Sequence, residues 1–222
     1  MCGRFAQFTP LSQAAMRFEA VLKADLPPRY NVSPQSDAAV VRLDPKKVIR
    51  KIEPLTWGLM PAWMARRKDA HPLVNARAET LAEKPSFKEA FAKRRCLIPV
   101  DGFYEWKREG EAKIPHYFSM KDRRMFALAG LWDSYEKDKK RFETFAIVTT
   151  AANPLMAPVH DRMPVIVDRD DIPVWLDPGL SDFEVLKRYL RPYDGEGLQA
   201  TPVSTYVSNS QNEGPDCIQA AN

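Results

Sequence analysis

The chain has 222 residues, enough for one large domain or two small ones with a substantial core. Its apolar fraction of 45% and charged fraction of 28% are those of an ordinary globular protein, and no stretch reaches the length of a membrane-spanning helix. The formal net charge of +4 permits binding to a polyanion but does not require it.

The cysteines and histidines argue against a disulfide framework and give little support for a metal site. Cys2, Cys96 and Cys217 are widely spaced and lack the paired pattern of either. We therefore expect neither a metal nor a cofactor. The first residues also lack the basic-then-apolar pattern of a secretory signal. We expect a cytoplasmic monomer without membrane contact, associated with the nucleoid if it is bacterial.

The first quarter of the chain predicts one helix and two strands. Thr9 and Pro10 have the residue types of an N-cap and a first helical position, opening a helix of about four turns that ends before Pro27. Residues 29–34 lie between prolines, which favours an extended loop. Two strands with a turn between them follow, at residues 38–43, Asp44-Pro45 and 47–55.

The middle of the chain begins with an irregular aromatic segment at residues 56–63, and residues 75–80 begin a second ordered region. Two capping-box patterns predict short helices at residues 86–92 and 181–190. Three basic clusters are expected as solvated faces or hairpin tips, at residues 66–68, 93–95 and 137–141.

Strands dominate the second half of the pattern. They are predicted at residues 96–106, 115–120, 125–132, 142–150 and 199–207, with polar hairpin tips at 107–112 and 133–140. Strands and helices do not alternate regularly. The sequence therefore predicts a single α+β domain over residues 1–222, built on antiparallel β-sheet with flanking helices. The polar tail after about residue 208 is expected to be flexible.

Cys2 has a special chemical position if Met1 is removed, as a small second residue favours. It then carries an amine and a thiol on neighbouring carbons. A terminal amine, with a reference pKa of about 8, is partly neutral near pH 7 and condenses with aldehydes. The thiol can then close on the imine to form a five-membered thiazolidine, a covalent mechanism. Position alone favours the alternative, in which Cys2 is simply the inert second residue of the chain.

Glu105 and His160 are candidates for proton transfer. Glu105 lies between aromatic residues in a strand that reads as buried, where desolvation suits a carboxyl to acid–base work. The alternative is a strand-edge glutamate that faces water. His160 precedes Asp161 and Arg162 in a loop between ordered elements, a common location for active-site residues. The alternative is a structural turn in which Asp161 pairs with Arg162.

Asn75 and the tryptophans are open to two interpretations each. The two-sided amide of Asn75 could hold an amine or a carbonyl, or Asn75 could be a helix N-cap. Trp57, Trp63 and Trp106 could stack on nucleobases. Tryptophans in this number usually fill a core, which is the default for Trp57.

Six segments, in this order, resemble the SOS response-associated peptidase (SRAP) family of abasic-site-processing proteins. They are residues 2–5, 29–34, 57–61, 75–80, 101–106 and 160–164. The resemblance runs from residue 2 to about residue 210 and implies a barrel-like fold. It implies that Cys2, after loss of Met1, crosslinks to the ring-opened aldehyde of an abasic site in single-stranded DNA.

The resemblance also implies roles for individual residues. Asn75 would position the Cys2 amine, and Glu105 would be the general acid and base of ring opening, imine formation and slow crosslink reversal. His160 would assist ring opening and the lyase step. Residues expected to contact DNA are Arg4, Asn31, Arg77 and Arg162 at phosphates, and Pro34 and Trp63 as a wedge at the lesion. Met64 departs from the family, which has a second aromatic there; methionine stacks less well on a base.

Two other functions fit the same residues. One is a peptidase or amidase with N-terminal Cys2 as nucleophile, capable of releasing its own leader methionine. The other is a non-catalytic module that binds single-stranded DNA through phosphate contacts and stacking, with strong salt dependence.

Overall fold

The computed structural model describes residues 2–44, 46, 48–194 and 196–221. Within them the chain forms 14 strands and four α-helices. The strands are β1 (Phe5–Gln7), β2 (Ala20–Leu22), β3 (Arg29–Val32), β4 (Asp37–Asp44), β5 (Ile49–Trp57), β6 (Asn75–Arg77), β7 (Arg95–Val100), β8 (Gly102–Glu109), β9 (Ala112–Met120), β10 (Phe126–Lys137), β11 (Lys140–Ala151), β12 (Arg162–Pro164), β13 (Ile166–Val167) and β14 (Leu198–Pro202). The helices are α1 (Leu11–Arg17), α2 (Pro85–Lys93), α3 (Ile172–Leu176) and α4 (Phe183–Lys187).

The strands form two sheets. One has five strands in the order β14-β9-β8-β1-β3, all antiparallel. The other has nine strands along the path β12-β11-β10-β7-β4-β5-β2, with β6 on β11 and β13 on β10. A parallel pairing of β11 with β5 closes β11, β10, β7, β4 and β5 into a five-stranded barrel. The expected α+β fold, built on largely antiparallel sheet with flanking helices, is confirmed.

Side chains along the barrel strands point alternately to the two faces of the sheet, and each face packs into its own hydrophobic core. One face packs against the four α-helices, with Phe18, Phe91 and Trp175 among its buried residues. The other face meets the five-stranded sheet in what we call the inter-sheet cluster. This cluster includes Cys2, Phe5, Trp57, Phe103, Phe145, Met156 and Met163. Trp57 is fully buried there, so its expected core position is confirmed.

The outer face of the five-stranded sheet carries a third, smaller cluster. Tyr104 and Tyr117 of β8 and β9 pack there against Val207 and Cys217 from the end of the chain. The segment that follows β14 forms two 3₁₀ turns, Thr205–Ser208 and Pro215–Ile218. The structure differs here from the expected flexible tail, because buried side chains fix this segment to the sheet.

The predicted first helix is wrong in its length and its start. It ends at Arg17, and residues 20–22 form β2, which pairs in parallel with residues 50–52 of β5. Glu19 adopts a positive φ of 51°, which breaks the helix before β2. Pro10 occupies the N-cap position, while Thr9 donates its hydroxyl and its backbone N–H to Asp101.

Two segments differ from their predicted secondary structure because of the strands they pair with. The expected loop at residues 29–34 is extended, but its first four residues are strand β3, paired with β1. The single strand predicted at residues 96–106 is two strands in different sheets, divided at Asp101. The following Gly102 is needed for close packing, because a Cβ there would overlap the Tyr117 ring.

The ends of other elements also differ from the pattern. Helix α2 starts at Pro85 with Lys84 as N-cap, and the N-cap of α4 is Asp182, whose Oδ1 accepts from Glu184 N at 2.9 Å. The hairpin strands run further than predicted, so the tips shrink to two residues each, and β14 ends at Pro202.

The basic clusters follow the expectation except at Arg95. Residues 66–68 and 137–141 are exposed, the latter at the β10–β11 hairpin. Arg95 is buried and donates to carbonyl oxygens, including those of Trp175 and Phe91 at 2.6 Å each. Burial lowers the pKa of Arg95 to about 10.

Some expectations fall on residues outside the described ranges. These are the fate of Met1, the Pro45 half of the predicted turn and Lys47 at the start of a predicted strand. Among the described helices, none is long and apolar enough to cross a membrane.

Candidate functional site

The pairing of β1 with β8 carries the start of the chain toward Glu105. Phe5 lies opposite Phe103, and the Tyr104 N–H donates to the Arg4 carbonyl at 2.9 Å. Continued toward the start of the chain, this antiparallel register brings Cys2 alongside the part of β8 that contains Glu105. The negative charge of Glu105 indeed acts on the Cys2 thiol.

The Cys2 side chain is fully buried in the inter-sheet cluster. Burial raises the pKa of the Cys2 thiol, and the Glu105 carboxylate raises it further. The backbone N–H of Arg4 donates to the sulfur and lowers the pKa, but less strongly. The thiol is therefore protonated at neutral pH in this conformation, and a thiolate forms only if a proton acceptor takes its hydrogen.

Asn75 holds the Cys2 backbone directly. It begins β6, opposite Ile147 of the central strand β11, so the N-cap alternative is wrong. Its Nδ2 donates to the Cys2 carbonyl oxygen at 2.9 Å. Its Oδ1 is buried and has no hydrogen-bond partner among the described residues. The same amide thus offers a spare acceptor close to the Cys2 backbone.

Glu105 lies in β8 opposite His116 of β9 and is only 5% exposed. The alternative of a strand-edge glutamate facing water is therefore wrong. Phe103, two residues earlier on the same face of the strand, belongs to the inter-sheet cluster with Cys2. A buried carboxyl group next to a thiol can accept or release a proton there without competition from bulk water.

His160 ends a short turn that packs on the inter-sheet cluster through Met156. The His160 N–H donates to the Met156 carbonyl at 3.0 Å. Its Nδ1 lies 3.0 Å from the Arg162 backbone N–H and 2.8 Å from Asp161 Oδ1. These two contacts need different protonation states, and we favour the backbone contact because the Asp161 side chain is 87% exposed. In the neutral ring Nδ1 then accepts, and Nε2 carries the proton.

Arg4 is half-buried and held by uncharged acceptors. Its Nη1 donates to Asn31 Oδ1 at 2.7 Å and to the Val207 carbonyl at 3.1 Å, and its guanidinium lies 5.7 Å from the centre of the Trp106 ring. Burial lowers the pKa of Arg4. Its Nε is buried without a hydrogen-bond partner in the described part of the chain.

Asn31 has no exposed surface, so in this conformation its side chain cannot touch DNA. Its Oδ1 accepts from Arg4, and the two hydrogens of its Nδ2 are shared among three carbonyl oxygens of the C-terminal segment. Its contact with a phosphate stays a prediction. The observed contacts make Asn31 a support for Arg4.

Arg77 and Arg162 differ in how their charges are balanced. Arg77 is exposed at the end of β6. Arg162 forms a two-pronged ion pair with Glu79, with distances of 2.5 Å and 3.0 Å, and donates to the Thr149 carbonyl at 2.7 Å. Hydrogen bonding from Arg162 lowers the pKa of Glu79. The structural alternative that paired Arg162 with Asp161 is therefore wrong.

Pro34 and Trp63 follow two segments that meet at the buried Trp57. The Pro34 turn is fixed by Gln35 N–H donating to the Trp57 carbonyl at 2.8 Å. Trp63 lies six residues after Trp57 and is 48% exposed, with the partly buried Met64 next to it. An exposed tryptophan on a loop offers a surface on which a base can stack.

Two residues of this region were not assigned a role from the sequence. Thr149 is fully buried beside Arg77 and Arg162, but a threonine within an apolar run reads as core. Glu79 lies within the 75–80 segment, yet its partner Arg162 is 83 residues away. Only the strand pairing of β11 with β6 and β12 brings them together.

The described residues contain no group of three or more His, Cys, Asp or Glu side chains that could hold a metal ion. A cavity of about 530 Å³ lies between the end of α1 and β13, lined by Arg17, Arg124 and Asp168. It contains none of the predicted site residues.

The chain matches a family model described as "SOS response associated peptidase (SRAP)" over residues 1–210. Abasic site processing protein YoqW of Bacillus subtilis (strain 168) is 36% identical over 225 residues, covering 99% of this chain and 100% of that protein. Abasic site processing protein YedK of Escherichia coli (strain K12) is 30% identical and is covered to 99%. A crystal structure of a Bacteroides thetaiotaomicron protein matches the whole chain with a TM-score of 0.88 at 30% identity.

Proposed function

The chain belongs to the SOS response associated peptidase (SRAP) family, and from this premise we propose that it processes abasic sites in single-stranded DNA by covalent capture on Cys2. The relatives that share its full length are named abasic site processing proteins. The observation that carries the proposal is the hydrogen bond from Asn75 to the Cys2 backbone, together with Glu105 acting on the same residue.

The proposed reaction conserves atoms without an oxidant or reductant. After Met1 is removed, the Cys2 amine adds to the aldehyde carbon of the ring-opened abasic sugar. The aldehyde oxygen leaves as water and an imine forms. The Cys2 sulfur then adds to the same carbon, and its proton ends on nitrogen, which closes the thiazolidine ring.

Glu105 supplies and removes the protons of these steps. It would protonate the departing oxygen as the imine forms. Because burial keeps the Cys2 thiol protonated, an adjacent base must take its hydrogen while sulfur attacks. The buried Glu105 is the nearby carboxylate able to do both.

Asn75 would act when the amine attacks the aldehyde, and His160 would act when the sugar ring opens and in the lyase step. The spare Oδ1 of Asn75 can accept a hydrogen from the freed Cys2 amine, which would aim the nitrogen lone pair at the aldehyde. His160, with its proton on Nε2, would assist opening of the sugar ring and the lyase step.

Binding to DNA would rest on charge and stacking, because an abasic sugar offers no base to read. Arg4, Arg77 and Arg162 are proposed phosphate contacts, with Asn31 acting through Arg4. Pro34 and Trp63 are the proposed wedge.

The test is incubation of the processed protein with single-stranded DNA that bears one abasic site. N-terminal mass spectrometry first establishes that Met1 is absent. We expect a heat-stable adduct that disappears in Cys2→Ser, which keeps the amine but lacks sulfur, while borohydride still traps an imine. An adduct that persists in Cys2→Ser would contradict thiazolidine capture.

The rival functions give other results in the same assay. A cysteine peptidase would cleave peptides and form no DNA adduct, and the raised pKa of the Cys2 thiol counts against a thiolate nucleophile. A passive binder would hold intact and abasic strands with equal affinity and yield no imine to reduce.

A further inference from the structure

The C-terminal segment Thr205–Ile218, here called the strap, crosses the outer face of the five-stranded sheet beside the N-terminus. Its Val207 carbonyl accepts from Arg4 Nη1 at 3.1 Å. Its Ser208 hydroxyl accepts from the Trp106 indole N–H at 3.0 Å, and Trp106 in turn lies under the Arg4 guanidinium. The strap therefore touches both the side chain and the aromatic support of Arg4.

Asn31 ties the strap to Arg4 through a single amide. Its Nδ2 lies within 3.2 Å of the Val207 carbonyl, 3.0 Å of the Asn209 carbonyl and 2.8 Å of the Asn212 carbonyl. Its Oδ1 accepts from Arg4. A shift of the strap would thus move the acceptor on which Arg4 depends.

Glu213 fixes the strap to β3, the strand that carries Asn31. Its two carboxylate oxygens accept from Arg29 Nε at 2.5 Å and from the Tyr30 backbone N–H at 2.8 Å. One carboxylate thus holds both a side chain and the backbone of β3. An amide at this position could accept only one of these bonds and would turn a donor toward the other.

Arg4 faces no carboxylate within ion-pair distance among the described residues, in contrast to Arg162. Its acceptors are neutral, its Nη2 makes no hydrogen bond to the described part of the chain, and its Nε is buried without a partner. The Glu213 carboxylate acts on the Arg4 charge through space, without an ion-pair contact. A partly buried charge without a direct anionic partner is unfavourable unless an anion completes the site. The strap keeps Arg4 in this unfavourable state.

We propose that the strap is a positioning element of the DNA interface, in which Glu213 and Asn31 hold Arg4, with no carboxylate in direct contact, as a preorganised contact for a DNA phosphate. The interface then extends beyond residue 210, where the family match ends. This inference rests on the proposed function, because it assumes that the anion is a phosphate of the damaged strand.

The proposal predicts a change in DNA affinity for Glu213→Gln that is opposite in sign to the one expected from net charge alone. Replacing an acidic residue of a DNA-binding protein raises its net charge, which by itself strengthens binding to a polyanion. Glu213→Gln should instead weaken binding, because the strap loosens and Arg4 loses its fixed geometry. Glu89→Gln is the matched control: Glu89 also pairs with an arginine, Arg94, at 2.9 Å, but it lies on α2.

The experiment measures noncovalent affinity over a range of salt. It uses single-stranded DNA in which the abasic site is a tetrahydrofuran analogue without an aldehyde, so that neither an imine nor a thiazolidine forms. We expect Arg4→Ala to weaken binding about tenfold, as for loss of one charge-assisted hydrogen bond. We expect it to reduce the slope of log K against log salt by about 0.7, the value for one phosphate contact. Glu213→Gln should reproduce at least half of both effects. The double variant Arg4→Ala/Glu213→Gln should bind no more weakly than Arg4→Ala alone. Glu89→Gln should bind equally well or more tightly.

Nitrogen-15 NMR of the Arg4 guanidinium tests the strap without DNA. The held side chain should give separate Nη resonances that merge in Glu213→Gln but persist in Glu89→Gln. Arg4 resonances that stay unchanged in Glu213→Gln would overturn the positioning role. A loss of DNA affinity from Glu213→Gln that is as large in the Arg4→Ala background as in the wild type would also overturn it. A wild-type protein that binds abasic DNA but forms no adduct would instead contradict only the proposed capture.

Discussion

Asn75 Nδ2 lies 2.9 Å from the carbonyl oxygen of Cys2, at the start of the chain and 73 positions away in sequence. The bond leaves Asn75 Oδ1 buried and without a partner among the described residues. An acceptor in this state is costly unless a donor fills it, and in the proposed reaction the amine that loss of Met1 would release would be such a donor. One side of the Asn75 amide thus holds the Cys2 backbone, and the other side is the proposed acceptor for the Cys2 amine.

Replacing Asn75 by alanine should slow capture without weakening DNA binding. The Cys2 backbone would lose its fixed position, so we expect the single-turnover rate of adduct formation to fall about 10–100-fold. Stability should fall by about 1 kcal/mol for one lost hydrogen bond. Quench kinetics at saturating abasic DNA measure the rate. Gln13→Ala, on the exposed side of α1, is a control that should change neither quantity.

Glu105→Gln should reduce the rate of capture by about 10²–10⁴-fold, the usual range for loss of a general acid–base group. The amide keeps the size of the side chain but cannot carry protons. Noncovalent affinity for abasic DNA should stay nearly unchanged, because Glu105 is buried. Reversal of a preformed adduct should slow as well. A large loss of affinity with normal capture would make Glu105 a structural residue.

The sequence was most informative about the site, where chemistry restricts the choice of residue. The motif around Glu105 predicted a buried strand, and β8 confirms it with Glu105 5% exposed. The position of Cys2 beside Glu105 could not be read from spacing. It follows from the pairing of β1 with β8, which joins residues nearly 100 positions apart.

Local patterns failed where distant pairing decides the structure. Leu22 fits the apolar face of a helix, yet it lies in β2 because a parallel pairing with Ile52 was available. The polar residues after Val207 resemble a flexible tail. They are held because Asn31, far away in sequence, offers a buried amide to their carbonyl oxygens.

Stability should fall at alkaline pH because of the buried thiols. Burial raises the pKa of Cys2 and Cys96, and raises that of Cys217 to about 11. Above the ordinary thiol pKa of about 8.5, the unfolded chain releases protons that the folded protein retains. The folded state therefore loses about 1.4 kcal/mol per pH unit for each such thiol.

Cys96→Ala tests this pH dependence away from the site. Its thiol lies in the inter-sheet cluster, and alanine removes the titrating group at the cost of a small cavity. Urea unfolding at pH 7.5 and pH 10 should show that the variant is less stable at the lower pH but loses less stability between the two. Equal losses in both proteins would mean that Cys96 ionises in the folded state.

Glu79 should compete with DNA for Arg162. Its carboxylate takes both terminal nitrogens of Arg162, and the remaining Nε is buried without a hydrogen-bond partner in the described chain. A phosphate must therefore displace Glu79 to bind Arg162 with two hydrogen bonds. Glu79→Gln weakens the competitor, so we expect abasic DNA to bind about 3–10-fold more tightly, by roughly 1 kcal/mol.

Two comparisons separate competition from support. Glu83→Gln removes the same charge from an exposed position nearby, so it reports the general electrostatic gain, which should be smaller. Arg162→Ala should weaken binding, and in that background Glu79→Gln should have no more effect than Glu83→Gln. If Glu79→Gln instead weakens binding as much as Arg162→Ala does, the carboxylate orients the guanidinium for the phosphate and does not compete with it.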